Sequence, residues 1–142
     1  MGLLTFKGGI HPNDGKSLAK DQPIVELLPK GDLVYPLSQH IGAPAIAVVK
    51  KGDHVLKGQK IAEAGGFVSA PVYASVSGTV KAIEKRFNPT GSSVDCIVIE
   101  NDGTYEEAEK LPVKPMGEMS RDEILNTIAE AGIVGMGGAG FP

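Results

Sequence analysis

The sequence predicts a small, mainly β domain followed by a single helix, and three observations carry that expectation. Glycine (19 residues) and proline (10) are plentiful in 142 residues while aromatic side chains make up only 5%, which suits short elements joined by tight turns. Between Ala45 and Glu100, short β-branched runs alternate with turn signals such as Lys51-Gly-Asp53, Lys57-Gly-Gln59 and Gly65-Gly66, the rhythm of a small sandwich or barrel. Helical signals concentrate in one stretch, 121–131.

In chain order, residues 1–23 read as irregular, with turn formers at Gly8-Gly9, His11-Pro12 and Asn13-Asp14-Gly15. Ile24–Leu28 and Asp32–Pro36 are expected to be short extended segments around the Pro29-Lys-Gly31 turn. Pro36 and Pro44 argue against a long helix through 33–44. Ala45–Val49, His54–Leu56, Lys60–Ala62, Phe67–Ser69, Ala70–Tyr73 and Val76–Val80 (with Ile83 beyond) are expected short strand segments, and Asp95–Glu100 is a further one, ending at Asn101-Asp102-Gly103. Residues 104–119 are an acidic connector with Pro112 and Pro115, the expected domain boundary. Ser120-Arg-Asp-Glu123 is a capping box, in which the serine oxygen accepts from the N–H of Glu123 and the glutamate returns to the cap. Ile124, Leu125 and Ile128 share one face, and Gly132 suits the residue just past the helix end.

A net charge of −3 and the lack of a basic stripe give no electrostatic reason to expect nucleic acid. A single cysteine, Cys96, excludes an intrachain disulfide and a cysteine-ligated cluster within this chain; its place in Val94–Ile99 reads as a half-buried strand position. His11, His40 and His54 are scattered, so no metal site is expected. The apolar run Ile41–Val49 is too short to span a bilayer, and the chain reads as soluble.

Three constellations bear on function. Gly52-Asp-His-Val-Leu-Lys-Gly-Gln-Lys-Ile-Ala62 followed by Val76-Ser-Gly-Thr-Val80 resembles the lipoyl and biotinyl carrier family, over about 45–100, and implies its barrel-sandwich hybrid fold. Carriers present a modified lysine between these two motifs, whereas Glu63–Ser75 contains no lysine. Without that amine no amide to biotin or lipoate forms, so a structural or docking role is expected.

Phe6-Lys-Gly-Gly-Ile-His-Pro12 and Pro36-Leu-Ser-Gln-His-Ile-Gly-Ala-Pro-Ala45 carry no activity derivable from their chemistry. The third constellation is the loop Gly135-Met-Gly-Gly-Ala-Gly-Phe-Pro142. Such a loop lets backbone approach a phosphate closely, and it reads either as a disordered tail or as the opening of a nucleotide-binding domain. These segments and the carrier-like stretch, in this order, resemble the N-terminal part of the C subunit of the Rnf electron-transport complex.

That resemblance implies an RnfC-type region at 1–103, a linker at 104–119, and at 120–142 the truncated start of an α/β FMN- and NADH-binding domain. It places Gly135, Gly137, Gly138, Gly140 and Phe141 at the cofactor, with Gly135 and Gly137 along FMN and Phe141 near the nicotinamide. A similar loop in the flavin-carrying subunit of respiratory complex I commonly has arginine where Met136 stands. The implied parent carries electrons between NADH and ferredoxin through FMN and [4Fe–4S] clusters, coupled to sodium or proton movement. Its implied partners are the other subunits of the complex, at the cytoplasmic face of the inner membrane.

Two alternatives stay open at this point: a related component of a soluble reductase or of the sodium-pumping quinone reductase, and a non-catalytic adaptor on a carrier-like fold. No cofactor is expected in this chain by itself, and FMN binding to it is expected to be unmeasurable.

Overall fold

The computed structural model describes residues 12–111 and 114–142. Seven strands form two sheets: β1 (Asp32–Pro36), β2 (Ile46–Ala47), β3 (His54–Val55), β4 (Lys60–Glu63), β5 (Val72–Tyr73), β6 (Gly78–Phe87) and β7 (Ser93–Asn101), followed by α1 (Arg121–Glu130). One sheet has the order β1-β7-β6-β3, the other β2-β4-β5, and all strand pairs are antiparallel. The fold is mainly β, as expected. The Phe6–Pro12 motif lies, but for Pro12, outside the described residues, as does Pro112.

Both sheets feed one core. Val80, Ile97 and Ile99 from the first sheet meet Ile61, Ala62 and Val72 from the second, joined by Val55, Val76 and Leu37. The completely shielded members are mostly β-branched residues of the strands or their flanks, which fit a pleated, buried surface. A β-bulge in β6 between Val80 and Ala82 leaves Lys81 unpaired opposite β7; its ammonium reaches Asp32 of β1 at 2.7 Å. On β7, every residue from Cys96 to Ile99 is buried.

The Ser-Gly-Thr-Val stretch is built around two constraints. A Cβ on Gly78 would sit 2.1 Å from the carbonyl oxygen of Glu100, so this strand pair closes only with a residue lacking a side chain. Ser77, wholly buried, donates to Asp102 Oδ1 (2.7 Å), shares a bond with the Thr104 hydroxyl (3.0 Å) and accepts from the Glu106 N–H (3.1 Å). The start of the connector is thereby fastened to the β domain. Lys57 reinforces the attachment, its N–H donating to the Glu106 carbonyl and its carbonyl accepting from the Ala108 N–H, both at 2.8 Å.

Several elements differ from the sequence expectation. Ile24–Leu28 forms no strand and is exposed, because nothing among the described residues pairs with it. The expected strand over 45–49 is ladder-paired only at Ile46–Ala47, and no strand forms at 67–69. The largest difference is the β6–β7 hairpin, which runs on as a ribbon to Phe87 and Ser93. Its outer half, Glu84-Lys-Arg86, lacks the apolar alternation that marks a half-buried strand; backbone pairing and the turn at Asn88–Gly91 hold it instead.

The helix matches in detail. Ser120 and Glu123 form the reciprocal capping box, and Gly132 takes left-handed geometry (φ 66°) past its end. The C-terminus of α1 is docked on the second sheet: Tyr73 Oη donates to the Glu130 carbonyl and Lys60 pairs with the Glu130 carboxylate. That contact holds the Lys60 ammonium above its ordinary range. On the apolar face, Leu125 and Ile128 are left exposed while Ile124 is half-buried. No helix among the described residues is long and apolar enough to cross a membrane.

Asp102 provides a pH test. Bonds from the Thr104 backbone and the Ser77 hydroxyl, then from the Thr104 hydroxyl and His54, hold its carboxyl well below the ordinary carboxylate value of 3.8. A carboxyl lowered in the folded state contributes stability that is complete above its unfolded value and is lost as pH falls through the folded one. Asp102→Asn is therefore expected to melt below the wild type at neutral pH, with the gap narrowing below about pH 4. Parallel thermal melts across roughly pH 2.5–7 check this, and a gap independent of pH contradicts it.

Candidate functional site

The loop between β1 and β2 is where the motif without derivable activity finds its place. Its base is tied by the Leu37 N–H to the Asp95 carbonyl and by the Ala45 N–H to the Leu37 carbonyl, each 2.8 Å. Gln39 Nε2 closes the turn onto the Pro36 carbonyl (2.9 Å). The His40 ring bridges two segments: Nδ1 lies 2.8 Å from the Ile41 carbonyl and Nε2 accepts from the Ala70 N–H at 3.1 Å. Only a neutral ring carrying its proton on Nδ1 satisfies both contacts. His40 thus pins the β1–β2 loop to the β4–β5 connection, and the Ala43 N–H donates to the Val68 carbonyl (2.9 Å) alongside it.

The glycine loop rests on this platform. The Gly135 N–H donates to the Phe141 carbonyl (2.7 Å), closing the segment on itself, and the Gly140 N–H reaches the Gly137 carbonyl (3.2 Å). The Ile41 N–H donates to the Ala139 carbonyl at 3.0 Å, joining loop and platform. Gly140 has φ 59°, and a Cβ there would crowd the Gln39 carbonyl at 3.2 Å, so both backbone geometry and space call for glycine. The N–H groups of Met136, Gly137, Gly138 and Ala139 have no acceptor among the described residues.

Gly135, Gly137, Gly138, Gly140 and Phe141 are therefore brought together in one closed turn. Gly135–Gly140 line a cleft of about 560 Å³ together with Pro36, Ser38–Ile41 and the β6–β7 turn at Asn88-Pro89-Thr90. Among the described residues, no Asp, Glu, Lys or Arg lines it. Successive free N–H groups in a setting without carboxylates can accept an anion such as a phosphate. The Phe141 ring is largely exposed (61%) and Met136 fully so.

Elsewhere the chemistry is quiet. Cys96 is buried in β7, and burial pushes its thiol up. His54 pairs with Asp102 at 3.1 Å, and no group of three potential metal ligands gathers among the described residues. A groove of about 640 Å³ beside β4 is lined by Lys57, Lys60, Tyr73 and Glu107, but Lys57 is paired with Glu107 (3.5 Å) and Lys60 with Glu130. At the tip of the β4–β5 connection, where carriers bear their lysine, Phe67 stands fully exposed.

Sequence reasoning locates the glycine loop but not its supports. His40 and Ile41 stand in a motif whose chemistry suggests no role, since their partners Ala70 and Ala139 are distant in sequence. The Asn88-Pro89-Thr90-Gly91 turn carries a readable signal, but only the ribbon's full length brings it to the cleft.

Comparison with known proteins gives a family. Residues 4–104 match the family described as the RnfC barrel sandwich hybrid domain. The chain is 49% identical over 142 residues to the C subunit of the proton-translocating ferredoxin:NAD(+) oxidoreductase complex of Clostridium ljungdahlii, covering 99% of this chain and 31% of that one. It is 45% identical over 141 residues to the C subunit of the Na(+)-translocating ferredoxin:NAD(+) oxidoreductase complex of Acetobacterium woodii, covering 97% and 31%. It is 42% identical to the C subunit of the ion-translocating oxidoreductase complex of Vibrio cholerae, covering 99% and 18%. The chain thus spans less than a third of the length of these relatives.

The platform makes a testable demand on His40. His40→Ala removes the acceptor of the buried Ala70 N–H and is expected to cost about 1–3 kcal/mol of unfolding free energy. Urea denaturation measures the cost; an unchanged midpoint would show that the bridge contributes nothing.

Proposed function

The chain belongs to the RnfC barrel sandwich hybrid family, and from that premise we propose that it is the N-terminal structural part of a subunit in an electron-transfer complex. The longer polypeptide passes electrons between NADH and ferredoxin, coupled to ion transport. In this reading residues 1–103 form the docking region and 104–119 the connector. Residues 120–142 open the nucleotide-binding domain, with Gly135, Gly137, Gly138, Gly140 and Phe141 at FMN and NADH. The polypeptide sits with its partners at the cytoplasmic face of the membrane.

The observation that carries the proposal is the closed glycine loop, held on the β domain with its N–H groups at 136–139 meeting no acceptor among the described residues, beside a cleft that no described carboxylate lines. These residues fit a flavin phosphate or a pyrophosphate: the amides donate, and no side-chain anion repels. FMN, once bound, supplies the conversion of a two-electron hydride into single electrons. The chain's own part is to hold the loop's amides in place through Ile41 and to present the exposed Phe141 ring, whose face suits a planar heterocycle. Iron–sulfur clusters do not fit here, because the one cysteine is buried in a strand; in this reading their ligands lie elsewhere in the polypeptide.

The carrier-like fold takes no biotin or lipoate in this proposal, its hairpin tip bearing Phe67 in place of a lysine. Expression of the longer open reading frame, with a visible absorption spectrum, is the test. Flavin bands with a broad iron–sulfur shoulder are expected. A colourless, folded protein after cofactor reconstitution would instead leave an adaptor built on a carrier-like fold.

A further inference from the structure

The β6–β7 ribbon reaches further than the core requires. The last residue of β1 to pair with β7 is Pro36, opposite Cys96. Beyond it the ribbon continues for the pairs Lys85↔Asp95, Arg86↔Val94 and Phe87↔Ser93, with no third strand beside it among the described residues. Two-stranded ribbons are marginal unless something packs against them, and these residues are exposed or half-buried. The extension nevertheless ends in a densely hydrogen-bonded turn. Asn88 Oδ1 accepts from the Thr90 N–H (3.1 Å), the Thr90 hydroxyl (2.7 Å) and the Ser92 N–H (2.9 Å). The Asn88 N–H donates to the Ser92 carbonyl (2.9 Å) and the Gly91 N–H to the Asn88 carbonyl (2.9 Å). Asn88, Pro89 and Thr90 of that turn line the same cleft as the glycine loop.

We propose that the Asn88-Pro89-Thr90 turn of the β domain is the second wall of the nucleotide site, positioning a ligand between itself and the free amides of the glycine loop. The ligand class is a phosphate-bearing nucleotide with a planar ring. Because no Asp, Glu, Lys or Arg among the described residues lines the cleft, the phosphate is bound by backbone amides and the turn acts by shape. The β domain is then part of the binding site as well as a docking surface. The inference rests on the reading of residues 135–141 as a nucleotide loop, and the test separates the two.

FMN is titrated into the full-length apoprotein bearing one of three substitutions, with melting temperatures recorded for each. Gly137 has open space around its missing side chain, so Gly137→Asp adds a carboxylate to the loop without a clash, and it is expected to abolish FMN binding. Thr90→Trp intrudes on the cleft from the hairpin turn and is expected to weaken binding about tenfold or more, overpacking of a fitted site being the cause. Thr90→Ser keeps the hydroxyl and is expected to stay within about twofold. If Gly137→Asp abolishes binding but Thr90→Trp leaves it unchanged, the second wall is refuted and the nucleotide loop stands. If Gly137→Asp also leaves binding unchanged, the loop is not the flavin site and both readings fall.

Discussion

Between Leu37 and Ala45 the chain leaves the first sheet and returns to begin the second, and one backbone hydrogen bond, Ala45 N–H to the Leu37 carbonyl at 2.8 Å, closes the excursion at its base. Leu37 is itself bonded to Asp95 of β7 and buried in the core. The loop is thereby fixed by the same packing that joins the sheets. Its outer half contacts two other segments. His40 and Ala43 hold the β4–β5 connection, and Ile41 holds the glycine loop. A short loop thus transmits the position of the β core to backbone amides that are far away in sequence.

The fold is legible in the sequence where local chemistry decides it. The capping box at Ser120 and the left-handed glycine at 132 need only neighbours in sequence, and both form as the residues require. Asp32–Pro36 and Lys60–Ala62 are legible because apolar residues and turn formers punctuate them. The outer ribbon of β6–β7 is not, because backbone pairing, the turn at Asn88–Gly91 and the cross-strand Lys85–Asp95 ion pair hold Glu84–Arg86, and no side-chain periodicity betrays it. Ile24–Leu28 has strand-like composition, but composition does not supply a partner.

The candidate site divides the same way. Its glycines announce a backbone that approaches something closely, and they are gathered in one closed turn. The roles of His40 and Ile41 depend on Ala70 and Ala139, contacts spanning 30 residues or more, which no local pattern encodes. The carrier-like motif is informative about fold and silent about chemistry. Where carriers present a lysine, this chain presents Phe67, and its β4–β5 connection is tied back through Val68 and Ser69 instead of swinging free.

The coupling of core to glycine loop through Ile41 is tested most directly by amide hydrogen exchange at that residue. Gly140→Val places a branched side chain where φ is 59° and the Gln39 carbonyl lies 3.2 Å from the added Cβ, which forces the loop off the platform. If the platform holds the loop as described, the Ile41 amide loses protection in Gly140→Val while the amides of Val80 and Ile99 in the core keep theirs. Unchanged protection at Ile41 would mean that Ala139 is not its acceptor and that the glycine loop is not carried by the β domain.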